Sequence, residues 1–211
     1  MNFEQDFREY RVDECISFRK TDEKFGGLSN MAPGYKIYIN SVEVLNSEAL
    51  YQAFRYSYYP DIQREIILQK SPMTAKMVSK KYRSLSRNDW EKNKVTIMRW
   101  CLRAKLIFNW KKFGQLLDST GNKIIVEDSN KDSFWGARLD SVYFRGTNAL
   151  GRLLMELREI YREAKSIKNI SLEPLKIRDF LFLNKEIPTI FVDVTKNDDD
   201  THTIFDFYDT R

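Results

Sequence analysis

The chain has 211 residues, 42% of them apolar, and a net charge of +5, which is enough for one compact domain with a core of its own. No apolar run reaches the ~20 residues of a membrane span and none near the start has the length of a signal-peptide core, so an intracellular, cytoplasmic protein away from membranes is expected. Cys15 and Cys101 lie far apart and far from the lone His202, which argues against a disulfide framework and against zinc-type ligand spacing.

The first fifteen residues are highly charged and lead into a strand near 15–19. Residues 25–34 read as a loop, and 36–45 alternate Ile37, Ile39, Val42 and Val44 around Asn40-Ser41, the pattern of a β-hairpin with a polar turn. Asn46 or Ser47 can cap a helix carrying Leu50, Phe54 and Tyr58 on one face. Ser71-Pro72 opens another through Met77, with proline at the first helical position.

The longest helical pattern covers 89–108, with Val95, Met98, Leu102 and Leu106 at spacings of three and four, and predicts a central core helix. A short helix over 112–117 stops at Thr120-Gly121, and 123–127 reads as a buried strand. A polar and aromatic segment follows before Asn148 opens a last helix with Leu150, Leu153, Leu154 and Leu157 on its apolar side. Beyond Lys168 the pattern turns strand-like and acidic, through 190–194, the aspartates 198–200 and 204–208. The fold class expected is α+β, a predominantly helical single domain with a small β-sheet.

With one histidine, placed in the acidic tail, acid–base chemistry falls to Glu, Asp or Lys. Three segments join glycine, carboxylate and aromatic residues in ways that core packing does not require. In Lys24-Phe25-Gly26-Gly27-Leu28-Ser29-Asn30-Met31 two glycines either make a tight turn or let backbone amides approach a ligand. In Ser47-Glu48-Ala49-Leu50-Tyr51-Gln52, Glu48 stands in a helix's first turn with Gln52 one turn later on the same face, suited to the helix dipole or to proton transfer. After the 123–127 strand, Glu127-Asp128-Ser129-Asn130-Lys131-Asp132-Ser133-Phe134-Trp135-Gly136 crowds acids against Trp135. Trp90 either stacks on a planar base or fills the core. From Lys76 to Lys112 there are twelve Lys or Arg against Asp89 and Glu91 alone, either a solvated helix face or a surface for an anionic ligand.

Taken in order, these blocks resemble the NADAR superfamily over about residues 18–158. The carriers are Phe-Gly-Gly-Leu-Ser-Asn at 25–30, Ser-Glu-Ala-Leu-Tyr-Gln at 47–52, Ser-Pro-Met-Thr-Ala-Lys at 71–76 and Asn-Asp-Trp at 88–90. Further on come Met98, Ala104-Lys105, Glu127-Asp128-Ser129, Asp-Ser-Phe-Trp-Gly at 132–136 and Gly-Thr-Asn-Ala-Leu-Gly-Arg at 146–152. The resemblance implies a domain over 1–168, with 169–211 an extension packed on it.

The resemblance also implies an N-glycosidase acting where ribose C1 is bonded to an exocyclic amine of a guanine-like ring, so that the sugar can open to an imine. Two substrates are known for such proteins: ADP-ribosylated guanine in DNA, and phosphoribosylamino-pyrimidine intermediates of riboflavin synthesis. In this reading Glu48 is the general acid–base and Lys20 the amine that forms a Schiff base with C1, Lys24 being an equally placed rival. The DNA-acting type carries a lysine at that point and the riboflavin type does not, which favours ADP-ribosyl-guanine.

Asp132 would bind ribose hydroxyls, Trp90 and Trp135 would wall the site, and Gln52, Asn30, Glu127 and Asn148 would orient polar groups. Gly26, Gly27, Arg103 and Lys105 would receive the diphosphate of ADP-ribose. No cofactor or metal is expected, since hydrolysis through an imine needs no Lewis acid. A cognate ADP-ribosyltransferase toxin would be the partner. The competing readings are a riboflavin-intermediate glycosidase, and a non-catalytic ADP-ribose or NAD-binding module that would not need Glu48 or a reactive lysine.

Overall fold

The computed structural model of the chain describes residues 6–196. His202, the acidic run 198–200 and the strand expected over 204–208 lie outside the described residues. In chain order the elements are β1 (Arg8–Arg11), β2 (Cys15–Phe18), β3 (Ile37–Ile39), β4 (Val42–Val44), α1 (Ser47–Ala53), α2 (Pro60–Ile67), α3 (Pro72–Lys81), α4 (Trp90–Phe108) and α5 (Trp110–Asp118). There follow β5 (Ile124–Glu127), β6 (Arg138–Asp140), β7 (Tyr143–Gly146), α6 (Ala149–Ala164), β8 (Asn169–Leu172), β9 (Leu181–Phe182), β10 (Lys185–Glu186) and β11 (Ile190–Asp193). The fold is thus mixed α+β with small sheets, as expected. The chain divides into two compact units, one from Met1–Ser29 and Phe113–Lys165, the other from Asn30–Lys112 and Ser166–Arg211.

In the first unit β2 and β5 run parallel, from Cys15 opposite Ile124 to Phe18 opposite Glu127. The buried face of α6, with Leu150, Leu153, Leu154 and Leu157, packs on β5. The approach is so close that a Cβ on Gly151 would stand 2.1 Å from the Ile125 carbonyl oxygen, so only glycine fits there. The charged opening residues are part of this unit: β1 pairs antiparallel with β7, whose other neighbour is β6. Tyr10 and Phe144 face each other in its core. Sequence pattern misses this sheet because Arg8-Glu9-Tyr10-Arg11 and Arg138-Leu139-Asp140 offer one apolar side chain apiece.

In the second unit the β3–β4 hairpin turns at Asn40 and Ser41, both left-handed at φ 50° and 62°, the two-residue turn that matches strand twist. Asn46 is the cap of α1, its Oδ1 accepting from the Ala49 N–H at 2.9 Å. The helix stops at Ala53 and tightens into a 3₁₀ turn over Phe54–Tyr56. Tyr58, expected on its apolar face, is instead 55% exposed, because α1 and the turn after it end before Tyr58 and its side-chain period does not reach that residue.

Helix α2 carries Ile62, Ile66 and Ile67 on one side and buries Gln63 with them. That amide donates to the carbonyls of Ala53 and Leu181, at 3.2 and 3.0 Å, and accepts from Leu183 N–H at 2.6 Å. Helix α4 buries Met98, Leu102 and Leu106 as expected. The residues after Lys168 complete the same core: β8 pairs with β11, Phe180 stacks on Phe54 at 4.4 Å, and the Trp100 indole donates to the Glu173 carbonyl at 2.8 Å.

Candidate active site

The second unit buries a carboxylate. Glu48 is 2% exposed in the first turn of α1, and burying an ionised carboxyl without partners would be costly. Asn30 supplies three of the local contacts. Its side-chain amide donates to Glu48 Oε2, and its carbonyl accepts from the Glu48 N–H and the Ser47 hydroxyl, both at 3.0 Å. Gln52, one turn on, donates to Glu48 Oε1 at 2.9 Å. Gln52 Oε1 in turn accepts from the Ser79 hydroxyl at 2.6 Å, and the Tyr56 hydroxyl donates to the Ser79 carbonyl. A polar chain therefore runs from Asn30 through Glu48 and Gln52 to α3.

Burial pushes the Glu48 carboxyl above the usual range, against the pull of Lys76, the Gln52 amide, Arg55 and the Asn30 amide. A carboxyl poised in this way can hold a proton and then deliver it, the property a general acid–base requires. The buried Cys101 thiol is driven well upward by burial and then by Glu48, which keeps it from acting as a thiolate nucleophile.

Beside this network stands an aromatic wall. Trp90 is 4% exposed, with the Tyr51 ring at 4.9 Å and the Arg55 guanidinium 4.1 Å over its own ring. Of the two roles open to Trp90, it takes the packed one. Arg103 is half-buried on α4. Lys105, expected to meet a diphosphate, is 1% exposed with its ammonium 4.2 Å from the Tyr35 ring centroid. Burial first, and then Lys112, drive its pKa well down; a lysine held toward its neutral form is a poor counter-charge for phosphate.

The first unit gathers a second group at the carboxyl end of its parallel pair, an end where open α/β sheets commonly bind ligands. Phe18 lies opposite Glu127, and the Asp128 N–H donates to the Phe18 carbonyl at 2.9 Å. The turn carrying Lys20 and the loop from Glu127 to Trp135 therefore leave the same strand edge. Lys20 is exposed, and its backbone N–H, like that of Arg19, donates to the Glu23 carboxylate, at 3.2 and 2.9 Å. Those two bonds hold the Glu23 carboxyl below its usual range. Lys24 is exposed and lies 5.2 Å from the Phe25 ring centroid.

Gly26 packs against the Lys20–Thr21 backbone, where a Cβ would come within 2.4 Å of Thr21, and its amide donates to the Glu23 carbonyl at 2.8 Å. Its amide is thus engaged within the turn rather than turned to a diphosphate. Gly27 follows in the same 3₁₀ turn.

Asp132 Oδ1 accepts from the Phe134 and Trp135 amides at 3.0 and 2.9 Å. The carbonyls of Ser133, Phe134, Trp135 and Gly136 accept from the amides of Thr147, Ala149, Leu150 and Asn148 at 2.7–3.0 Å. The Asp-Ser-Phe-Trp-Gly segment is therefore the cap of α6, satisfying amides that a helix start leaves open. Asn148 is also structural: its side chain accepts from Glu127 N–H at 3.1 Å and donates to Ile125 O at 2.8 Å, so it clamps β5 and is not available to orient a ligand.

The NADAR domain family model matches residues 17–162. The chain belongs to the NADAR family. Two NADAR relatives are similar along most of their own length: N-glycosidase YbiA of Escherichia coli is 33% identical over 70% of this chain and 88% of its own, and the Nostoc punctiforme N-glycosidase is 31% identical over 74% and 97%. The riboflavin biosynthesis protein of Vibrio vulnificus is 33% identical over 75% of this chain. The chain spans 41% of that protein, and 24% of the maize riboflavin biosynthesis protein PYRR. The NMR structure of Escherichia coli YbiA superimposes with a TM-score of 0.63 at 31% identity, covering 74% of this chain and 89% of YbiA.

Of the residues expected from sequence, Glu48, Asn30, Gln52, Trp90, Arg103 and Lys105 fall in one unit, and Lys20, Gly26, Gly27, Glu127, Asp132, Trp135 and Asn148 fall in the other. Not among them are Arg55, Lys76, Tyr56 and Ser79. Arg55 had a readable signal, since Glu48, Gln52 and Arg55 are spaced i, i+4, i+7.

Proposed function

We propose that the chain is an N-glycosidase that cleaves the bond between ribose C1 and an exocyclic amine of a guanine-like ring, acting on ADP-ribosylated guanine in DNA. The observation that carries the reading is Glu48, a buried carboxyl with a raised pKa, gripped by Asn30 and Gln52. Relatives named N-glycosidase support the reaction class. Lys20, exposed at the carboxyl end of β2, supports the DNA substrate, as do exposed Lys80, Lys81 and Arg83 within 69–88, a stretch without an acidic residue. The partner consistent with this substrate is an ADP-ribosyltransferase toxin whose modification the chain reverses.

The sequence of steps follows from the chemistry. The exocyclic nitrogen lone pair opens the ribose to a C1 imine, with the ring oxygen leaving as a hydroxyl. The Lys20 amine adds to C1, and Glu48 gives a proton to the departing base amine. Water then adds to the lysine–C1 Schiff base, Glu48 accepts a proton from it, and the C1–lysine bond breaks to free ADP-ribose and the lysine amine.

A second reading, a glycosidase of riboflavin intermediates, is favoured by the names of the Vibrio vulnificus and maize relatives. Purified protein incubated with guanine-ADP-ribosylated oligonucleotide and borohydride separates the two. The proposal expects released ADP-ribose and a trapped adduct that Lys20→Ala lacks. An untouched oligonucleotide beside a cleaved phosphoribosylamino-pyrimidine would transfer the chemistry to the second substrate.

A further inference from the structure

We propose that Arg55 is the receptor for the phosphate ester on C5 of the substrate's ribose, a subsite next to Glu48. The inference rests on the ribosyl-cleaving reading above but not on which base leaves, because ADP-ribosyl-guanine and phosphoribosylamino-pyrimidines both carry phosphate on that carbon.

Arg55 sits in the 3₁₀ turn that continues α1, seven residues after Glu48. Its guanidinium lies 4.1 Å over the Trp90 ring, so one planar face is fixed by the indole and the edge donors are left to meet an acceptor. The Nε is buried and has no hydrogen-bond partner, and Arg55 forms no ion pair among the described residues. Arg87, a buried arginine of the same unit, is the contrast: it pairs with Asp89 at 2.5 Å and donates to the Ser57 hydroxyl and the Arg178 carbonyl at 3.0 and 2.6 Å.

A buried donor without an acceptor is disfavoured in a folded chain unless a ligand supplies one. The missing acceptor is an anion. Glu48 is within electrostatic reach but already receives the Asn30 and Gln52 amides. Glu91, the carboxylate that acts on Arg55, forms no ion pair with it, and Lys76 and Arg83 add positive charge to the surroundings, Lys76 acting on Glu48 and Arg83 on Arg55. Phosphate matches the guanidinium fork, whose Nε–H and a neighbouring Nη–H can bind two oxygens of one group. A phosphate held here would anchor the sugar through its C5 end.

The test pairs each substrate with its stripped form. kcat/KM is measured for wild type, Arg55→Gln and Arg55→Lys on guanine carrying ADP-ribose and on guanine carrying bare ribose. Arg55→Gln is expected to lose about 10–100-fold more on the phosphorylated substrate than on the stripped one, with Arg55→Lys between. Equal losses on both would make Arg55 part of the wall, and no loss on either would remove it from the site; both overturn the proposal. If wild type leaves guanine substrates untouched, the same comparison is made with the phosphoribosylamino-pyrimidine and its dephosphorylated form. If neither pair is cleaved, the glycosidase reading fails, and calorimetric titration of ribose 5-phosphate and ADP-ribose still tests Arg55. Weaker binding by Arg55→Gln supports the subsite, and equal affinity contradicts it.

Discussion

Glu48 receives two amide hydrogen bonds and still holds its proton more tightly than an ordinary glutamate, because burial outweighs the amides and the two nearby cations. Replacing it with Gln should lower kcat by about 10²–10⁴-fold, the span typical of a lost general acid–base, measured as base release in a single turnover. In the proposed mechanism the acid form protonates the leaving amine, so the rate of base release should fall as pH rises through the elevated pKa. Stability carries the same sign. The folded state binds the Glu48 proton more tightly than the unfolded chain, so the wild type loses stability relative to Glu48→Gln as pH climbs past the ordinary carboxyl value. Calorimetric Tm differences between the two, taken from about pH 4 to about pH 8, should widen in favour of the variant. A constant difference would mean that Glu48 titrates normally. Glu48 and Gln52 are readable from their i, i+4 spacing; the surroundings of Lys105 and Asn148 are not, because they come from burial and from partners distant in sequence, Tyr35 for one and Ile125 for the other.

At the scale of elements, spacing identifies those with an uninterrupted period: the β3–β4 hairpin, α4 and α6. It gives no element for α2, eight residues with Gln63 at a core position, nor for β1 and β6, whose outward residues are mostly charged, nor for β7, the four-residue strand they pair with. In the segment 132–136 four carbonyls cap α6, which its polar and aromatic sequence does not announce. Removing the α1 cap with Asn46→Ala should cost about 1 kcal/mol in urea denaturation and loosen the turn that orients Glu48. If stability and activity are both unchanged, the cap is not what sets that turn. Gly151→Ala should be far more damaging, since its Cβ would meet the Ile125 carbonyl at 2.1 Å. Its test is whether β5 amides exchange hydrogen faster than in wild type.

For the whole molecule, the family match ends at 162, yet the strands after it belong to the core of the unit that holds Glu48. Phe182 is fully buried and Phe180 stacks on Phe54, so Phe182→Ala should cost about 3–5 kcal/mol by chemical denaturation. A loss under about 1 kcal/mol would mean the tail is dispensable. Composition and order of motifs were sufficient to recognise the α+β class and the family, whereas the division into two units, each assembled from separated stretches, has no local signature. Whether Glu48 drives cleavage of a ribosyl C–N bond is tested most directly by single-turnover base release from guanine-ADP-ribosylated oligonucleotide and from a phosphoribosylamino-pyrimidine, by wild type and Glu48→Gln. Wild type is expected to release base from the oligonucleotide, and Glu48→Gln to do so at least about 100-fold more slowly. Release at equal rates, or no release from either substrate by wild type, would contradict that role of Glu48.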